Sequence, residues 1–379
     1  MMKILIGADL VPTHTNIDLF AAGDVRSLVG QELFQIIDEA DYRIFNLEVP
    51  LTDQEKPILK CGPNLIAPTK CISGYQALGV DLLTLANNHI LDQDQQGLDS
   101  TCAVLDAAGI AYTGVGKTPE EAAKPYIFEC DGKQIGVYAC AEHEFSIVTE
   151  HSAGANPIDL LESPDHVAAL KAKCDYVIVL YHGGKEHYRY PSPNLQKVCR
   201  KLVEKGADLV ICQHSHCIGC EEKYQNGIIV YGQGNFIFDH NNSECWQTSL
   251  LIQINEPFSI SYTPMIKKGN VVRIAPQDIA KEIMDGFNQR SNDIMNLGFV
   301  EETFAELAKE EATSLFLSIS GQSGNNMFRV LNKVLRNHFW DWYVNRLYNG
   351  KKLCSARNRV ECESLRELLI YSLAEKQKR

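Results

Sequence analysis

The sequence predicts an α/β fold, in which helices cover a sheet of buried strands, and two observations support this prediction. Over the first 240 or so residues, short apolar runs rich in β-branched residues alternate with amphipathic stretches. After about residue 275 no strand pattern remains, and the chain has a helical pattern to its end. We therefore expect an α/β domain over residues 1–274 and a C-terminal helical extension over residues 275–379.

The predicted strands are short apolar runs flanked by Gly or Asp, as is typical of buried strands. In chain order they are MKILIGAD, YRIFNLE, DLLTLAN, QIGVYACAE, DYVIVLYH, ADLVICQHSH and GIIVYGQGNFIF. Two further runs, TSLLIQIN and NVVRIAP, predict a strand pair that closes a second sheet. Between strands, DQQGLDSTCAVLDAAG and SPNLQKVCRKLVEKG place apolar side chains at helical spacing. These two helices are expected to end at Gly109 and Gly206.

The bulk composition describes an ordinary globular protein of 379 residues, with 45% hydrophobic and 22% charged residues. The net charge of -12 argues against general nucleic-acid binding, which needs a basic surface, but permits a local basic site for an anionic substrate. The opening MMKILIGADL is too short for the apolar region of a signal peptide, and no later apolar segment has the length of a membrane span. We expect a cytoplasmic protein without a nucleic-acid partner.

Thirteen cysteines, an odd number, lie mostly in apolar runs or on helix faces, which predicts reduced core thiols rather than disulfides. Cys217 and Cys220 form a CxxC, so a zinc or redox site is an alternative, but no second CxxC completes an all-cysteine zinc site.

The stretch 326–379 is basic within an acidic protein, with 12 Lys and Arg against 5 Asp and Glu, and it carries four aromatic residues within 339–343. A basic aromatic helix could lie on a membrane surface or bind a polyanion. Because aromatics at helical spacing more often pack against their own domain, we predict that this segment packs on the α/β domain.

Nearly every predicted strand ends in a potential metal ligand, and ligands collect beyond the C-terminal ends of strands in α/β sheets. These residues are Asp9, Glu48, Asn87, Asn88, His89, His182, His214 and His216. Convergence on one cationic centre explains the pattern better than solvated loops do. A His-x-His pair on an extended backbone would also point both imidazoles to one face. The mixed oxygen and nitrogen donors predict one or two divalent ions, with zinc, manganese or iron favoured.

The same motifs resemble the CapA-like family (poly-γ-glutamate capsule biosynthesis protein) of the calcineurin-like metallophosphatase superfamily. The resemblance is carried by NLEVPLT at 46–52, ANNHILDQDQQGLDST at 86–101, GVGKTPEEA at 114–122, HGGKEHYRYPS at 182–192, GADLVICQHSH at 206–216 and GNFIFD at 234–239. It covers roughly residues 3 to 255. It implies a metallophosphatase-like, two-sheet β-sandwich flanked by helices.

The resemblance also implies roles for single residues. The metal ligands would be Asp9, Glu48 as a bridging carboxylate, Asn88, His182, His214 and His216. His89 would donate a hydrogen bond or a proton to the substrate, and Asp92, three residues on, is the carboxylate expected to pair with it. The substrate-binding candidates are Asn87, Lys185, Glu186, Arg189 and Asn235, with Lys60 as a further candidate for an anionic group.

The chain departs from the metallophosphatase pattern at several positions. Val11 replaces the histidine of an Asp-x-His motif, a departure that CapA-like proteins generally share, Gly183 replaces a tryptophan and Ser215 replaces a proline. The predicted function is a metal-dependent hydrolase in which an activated water attacks a phosphoester or a γ-glutamyl amide. The alternative, which Val11 favours, is a non-catalytic binding or assembly subunit for poly-γ-glutamate or another anionic polymer.

Overall fold

The predicted strand runs form strands in the computed structural model, which describes residues 2–239, 242–336 and 338–377. The strands are β1 Lys3–Val11, β2 Tyr42–Asn46, β3 Leu82–Thr84, β4 Ala111–Thr113, β5 Val115–Gly116, β6 Tyr126–Cys130, β7 Lys133–Ala141, β8 Gly154–Ala155, β9 Tyr176–His182, β10 Leu209–Gln213, β11 Glu221–Tyr224, β12 Gly227–Tyr231, β13 Asn235–Phe238, β14 Thr248–Asn255, β15 Ser259–Lys268 and β16 Val271–Ile274.

The helices lie between these strands and after the last of them. They are α1 Ile17–Ala22, α2 Val25–Val29, α3 Gln31–Asp38, α4 Ile72–Ala77, α5 Asp94–Ala108, α6 Pro119–Ala122, α7 Glu162–Lys171, α8 Pro193–Glu204, α9 Gln277–Asp293, α10 Phe299–Ile319, α11 Asn326–Val334, α12 Phe339–Leu347, α13 Gly350–Glu361 and α14 Glu363–Gln377.

Local sequence signals explain two helices that position the site. Helix α5 ends at Gly109, whose φ of 69° is the left-handed conformation that glycine adopts without strain. Helix α8 begins after Ser192, whose side chain accepts a hydrogen bond from the backbone N–H of Leu195, and Pro193 occupies its first turn. Both predicted helices are therefore confirmed, although α8 ends two residues before Gly206.

The strands form two mixed sheets that pack face to face. The first has the order β16-β15-β14-β1-β2-β3-β4, with β13 also pairing with β1, and the second has the order β11-β12-β10-β9-β7-β6. In the first sheet β1 to β4 are parallel, and β14, β15 and β16 extend it with antiparallel pairs. In the second sheet β7, β9, β10 and β12 are parallel, and the edge strands β6 and β11 are antiparallel. A short ladder joins β5 and β8.

Strand alternation divides the apolar side chains among three layers of core. Ile4, Ile6 and Ile211 belong to the cluster between the two sheets. Leu5 points the other way, into the cluster between the first sheet and helices α1 to α4, and Val210 points into the cluster beneath α7 and α8. The structure is therefore a two-sheet β-sandwich flanked by helices, and the predicted α/β class is confirmed.

The predicted pairing of TSLLIQIN with NVVRIAP is wrong. These segments form β14 and β16, but β15 lies between them and pairs with both. They also extend the sheet that contains β1 rather than closing the other sheet. Strand β15 was missed because its exposed residues and Pro264 weaken the apolar alternation that marks a strand.

The chain is helical after residue 275, as predicted. Helix α9 belongs with the sandwich, where Phe287 packs against Ile218 and Leu250. The chain divides into two compact units, residues 1–301 and 302–379, while the domain boundary at 274/275 and the packing of the C-terminal segment on the α/β domain remain predictions.

Within the second unit, aromatic residues of α11 and α12 pack on one another, with the Phe328 and Tyr343 ring centroids 4.8 Å apart. Throughout the ranges that the structure describes, no helix combines the length and the apolarity needed to cross a bilayer.

Candidate metal centre

Strand ends from both sheets bring the predicted ligands together. In the first sheet Asp9 on β1 is in register with Asn46 at the end of β2. In the second sheet His182 at the end of β9 is in register with Gln213 at the end of β10. Because parallel strands end at the same edge of a sheet, the residues at these ends and directly after them meet in one place.

Glu48 lies at the middle of this cluster and is fully buried. Its Oε1 is 3.2 Å from Nε2 of His182 and 4.0 Å from Nε2 of His89. Glu48, His214 and His216 each offer one ligand atom, and these atoms all lie within 4.8 Å of one another. The structure thus surrounds one buried carboxylate with imidazoles.

Asp9 and His216 form one side of the centre. The amide of Asn46 donates a hydrogen bond of 2.7 Å to Oδ1 of Asp9, while Oδ2 of Asp9 is 3.6 Å from Nδ1 of His216. The same Nδ1 lies 2.8 Å from Oδ1 of Asn235. The ring of His216 also stacks on Trp246, with centroids 4.3 Å apart, so its plane is fixed.

Asn88, His182 and His214 form the other side. Nε2 of His182 is 3.1 Å from Oδ1 of Asn88 and 3.2 Å from Nδ1 of His214. All six predicted ligands are therefore placed in one buried cluster.

Unpartnered oxygens at the centre fit a cation. Oδ2 of Asp9 and both carboxylate oxygens of Glu48 are buried and accept no hydrogen bond. A buried carboxylate without a partner is costly unless a positive charge compensates it. Carboxylate and amide oxygens together with imidazole nitrogens are donors that divalent transition metals accept. The residues present therefore fit a divalent metal ion.

The electrostatics of the cluster show the same demand for positive charge. Burial alone would raise the pKa of Glu48, but His182, His216 and His89 hold that pKa well below its ordinary value. Burial and the Glu48 charge raise the pKa of Asp9. Burial opposes protonation of His216, yet Glu48 and Asp9 raise its pKa to about 9. Burial and the neighbouring His182 and His216 hold the pKa of His214 well below its ordinary value.

The His-x-His pair does not lie on an extended strand, and that part of the sequence prediction is wrong. Strand β10 ends at Gln213, and His214 and His216 have φ angles of 84° and 52°. Left-handed backbone conformations are strained for residues other than glycine, and they occur where the surrounding structure holds the backbone in place. The convergence of the two imidazoles thus comes from the loop rather than from strand alternation.

His89 and Asp92 form the predicted pair. Nδ1 of His89 is 2.5 Å from Oδ2 of Asp92, which also accepts a hydrogen bond of 2.6 Å from the backbone N–H of Leu65. Lys60 donates to Oδ1 of Asp92, and its Nζ is 3.1 Å from Nδ1 of His89. The Lys60 side chain is only 1% exposed, so it serves this pair and does not form part of an open surface for an anion.

The predicted substrate-binding residues differ in their exposure and in their hydrogen-bond partners. Arg189 donates to both carboxylate oxygens of Glu244 and to the carbonyl of Ile218, which makes it part of an ion pair. Lys185 and Glu186 are exposed on the loop after β9.

The remaining two candidates are buried amides that hold other residues of the centre. Asn87 is fully buried and donates to Oδ1 of Asn46 and to the carbonyl of Leu47. Asn235 contacts His216. The geometry of Arg189 and Asn87 therefore favours positioning roles over contact with substrate.

Three residues at the centre were not predicted. Asn46 and Glu142 carry the strand-end signal used for the other ligands, since they end or directly follow β2 and β7. Oε1 of Glu142 lies 3.3 Å from Nε2 of His214. Trp246, whose indole N–H donates to Nε2 of His187, carries no signal, because its partners are distant in sequence.

Comparison with known proteins identifies the family. Residues 4–240 match the sequence model of the family described as "Bacterial capsule synthesis protein PGA_cap". The chain belongs to this family. The PGA_cap segment contains every residue of the candidate centre except Trp246.

Two relatives in sequence and one solved structure are similar to parts of this PGA_cap chain. It is 28% identical over 212 residues to the capsule biosynthesis protein CapA of Bacillus anthracis, covering 54% of this chain and 52% of that protein. It is 24% identical over 219 residues to the PGA biosynthesis protein CapA of Bacillus subtilis, covering 55% and 57%. The match thus spans about half the length of these relatives. A crystal structure of a phosphatase of Mycoplasma pneumoniae is similar with a TM-score of 0.42 and 13% identity, covering 71% of this chain and 94% of that one.

Proposed function

We propose that the protein is a metal-dependent hydrolase whose centre holds one or two divalent ions, with Mn, Zn and Fe as the candidates. The ligands would be Asp9, Glu48, Asn88, His182, His214 and His216. The observation that carries this proposal is the fully buried Glu48, whose two oxygens accept no hydrogen bond although four imidazoles surround it. When bound, a divalent ion would lower the pKa of a coordinated water and polarise an oxygen of the substrate.

His89, Asp92 and Lys60, which lie beside the candidate ligands, would control proton transfer to the leaving group. Asp92 holds the Nδ1 side of His89, which leaves Nε2 on the side of Glu48, 4.0 Å from its Oε1. From that position the imidazolium form of His89, with Nδ1–H paired to Asp92, can donate a hydrogen bond or a proton from Nε2 to a leaving group, as a general acid does. Asp92 fixes the ring, and Lys60 balances the charge of Asp92.

The substrate class that we propose is an anionic phosphoester or γ-glutamyl amide. The names of the two CapA relatives connect those proteins with capsule and PGA biosynthesis. Hydrolysis of either bond develops negative charge on an oxygen, which a metal centre of this kind would stabilise. The exposed Lys185 beside the centre is the candidate for contact with an anionic group.

A substrate screen tests the reaction. Protein loaded with Mn, Zn or Fe would be assayed on phosphomonoesters, phosphodiesters and γ-glutamyl peptides, with His214→Asn as the matched control. We expect turnover of one class by the wild type and none by His214→Asn. Wild-type protein that holds its metal but hydrolyses no class would favour the alternative of a binding subunit for an anionic polymer, for which Val11 is the argument.

A further inference from the structure

His214 has a different partner at each of its ring nitrogens. Its Nδ1 is 3.2 Å from Nε2 of His182, on the side of the candidate ligands. Its Nε2 is 3.3 Å from Oε1 of Glu142, on the opposite edge of the ring. One edge of the imidazole therefore faces the centre and the other faces a carboxylate.

Glu142 is itself held in place by the loop that carries His182. Its backbone N–H donates to the carbonyl of His182 at 3.0 Å, and its Oε2 accepts from the backbone N–H of Gly184 at 3.2 Å. Its side chain is 34% exposed, so most of it is covered. These two bonds leave Oε1 directed at His214.

The hydrogen-bonding capacity of the two groups fixes the position of one proton. An ionised carboxylate only accepts hydrogen bonds, and a neutral imidazole carries one N–H. If Glu142 accepts from His214, the proton lies on Nε2, and the lone pair of Nδ1 faces the centre. Metal-ligating histidines commonly donate their second N–H to a carboxylate, which orients the ring and makes it a stronger ligand.

We propose that Glu142 is a positioning residue for His214, keeping its proton on Nε2 so that Nδ1 is available to a metal ion. This inference rests on the proposed metal centre and deepens it.

A direct ligand role for Glu142 is the competing interpretation. Glu142, Glu144 and His214 each offer a ligand atom, and these atoms lie within 4.8 Å of one another. However, Oε2 of Glu142 is already occupied by Gly184, and Glu144 is exposed. In that arrangement Nε2 of His214 would have to face a second ion. The contacts favour positioning.

The test compares Glu142→Gln with Glu144→Gln, which makes the same chemical change two residues away. Zinc affinity would be measured by competition with a chelator, and the number of ions bound at saturation by elemental analysis. We expect Glu142→Gln to weaken zinc binding by about 10- to 100-fold without changing the number of ions bound at saturation. Glu144→Gln should stay within about twofold of the wild type, because Glu144 is exposed and the carboxylate paired with Nε2 of His214 is that of Glu142.

Two results would overturn the inference. Zinc affinity of Glu142→Gln within twofold of the wild type would show that the carboxylate does not support His214. Fewer ions at saturation would show that Glu142 is a ligand. Should Glu142→Gln not fold, Glu142→Asp, which retracts the carboxylate but keeps its charge, is expected to weaken zinc binding several-fold, and unchanged affinity there would equally overturn the inference.

The affinity measurement also separates this inference from the proposed hydrolase. Suppose that Glu142→Gln binds zinc more weakly than the wild type, and that the wild type hydrolyses none of the screened substrates. The first result would support the role of Glu142, and the second would contradict the proposed hydrolase activity. A wild-type protein that binds no metal would overturn both.

Discussion

Two neighbouring residues, Asn88 and His89, face different partners in the centre. Oδ1 of Asn88 lies 3.1 Å from Nε2 of His182, among the candidate ligands. Nδ1 of His89 is 2.5 Å from Asp92, so only its Nε2 edge is directed towards Glu48. The arrangement separates a residue that would hold a metal from a residue that would act on substrate.

Substitution of His89 tests this separation. His89→Asn should retain the metal content of the wild type and lower kcat by about 10²- to 10⁴-fold, because a positioned general acid contributes that much. His214→Asn should lose metal and activity together. Elemental analysis and steady-state kinetics on the substrate found in the screen measure both. Full activity in His89→Asn would remove its catalytic role.

Removal of the lysine from the buried Lys60–Asp92 ion pair should destabilise the fold far more than removal of the lysine from the exposed Lys56–Asp94 ion pair. The Lys60 and Asp92 side chains are 1% and 0% exposed, whereas those of Lys56 and Asp94, 2.8 Å apart, are 63% and 45% exposed. Lys60→Met leaves a buried carboxylate without its cation and should lower the free energy of unfolding by about 3 kcal/mol. Lys56→Met should change it by less than about 1 kcal/mol. Equal losses in urea denaturation of the two variants would contradict this account.

At the scale of secondary-structure elements, the sequence predicts the strands better than the loops that join them. Short apolar runs located β1, β2, β9 and β10. The rule that ligands follow strand ends found Asp9, Glu48, Asn88, His182, His214 and His216, which the structure brings together. The rule needed no knowledge of loop conformation. The sequence could not show that Arg189 pairs with Glu244, 55 positions away, because pairing across the fold leaves no local signal.

The loop after β10 shows why a strand pattern alone could not place the His pair. Gly219 lies near the end of this loop, and a Cβ there would lie 1.8 Å from the backbone oxygen of Tyr231 on β12. Such close approach of two backbones depends on tertiary packing, which the local sequence does not encode. The left-handed conformations of His214 and His216 therefore had no signal in the apolar pattern.

Substitution of Gly219 tests the role of this close contact. Gly219→Ala should destabilise the metal-free protein by about 1–3 kcal/mol or more, because backbone atoms must move. It should also weaken metal binding, since the loop carries two candidate ligands. Gly324→Ala is the matched control, because nothing lies within 4 Å of its Cβ position and its φ is not left-handed. That change should alter the free energy of unfolding by less than about 1 kcal/mol. A Gly219→Ala variant with the same free energy of unfolding as the wild type would be inconsistent with the structure.

At the scale of the whole molecule, folding and metal binding should respond to pH in opposite directions. The pKa of His216 is about 9 in the folded metal-free protein, against an ordinary value of 6.5, because Glu48 and Asp9 outweigh the effect of burial. The folded state therefore binds this proton more tightly than the unfolded state does. The resulting stability is complete below pH 6.5 and is lost as the pH rises towards 9.

A metal ion must displace the same proton, so metal affinity should rise over this range. Urea denaturation of the metal-free protein and zinc titration would be compared between pH 6.5 and 9 in the wild type and in His216→Gln. The wild type should lose more stability than the variant across this range. Identical pH dependence in the two proteins would show that His216 does not hold the proton.

The fold buries carboxylates at the strand ends, and these carboxylates need a cation to compensate their charge. Metal content of the wild type and of Glu48→Gln, both purified without chelator and then dialysed against zinc or manganese, measures this need most directly. We predict one to two ions per wild-type chain and a marked loss in Glu48→Gln, whose neutral amide no longer attracts a cation. A wild-type protein without bound metal, or one that binds no more than Glu48→Gln, would contradict the account.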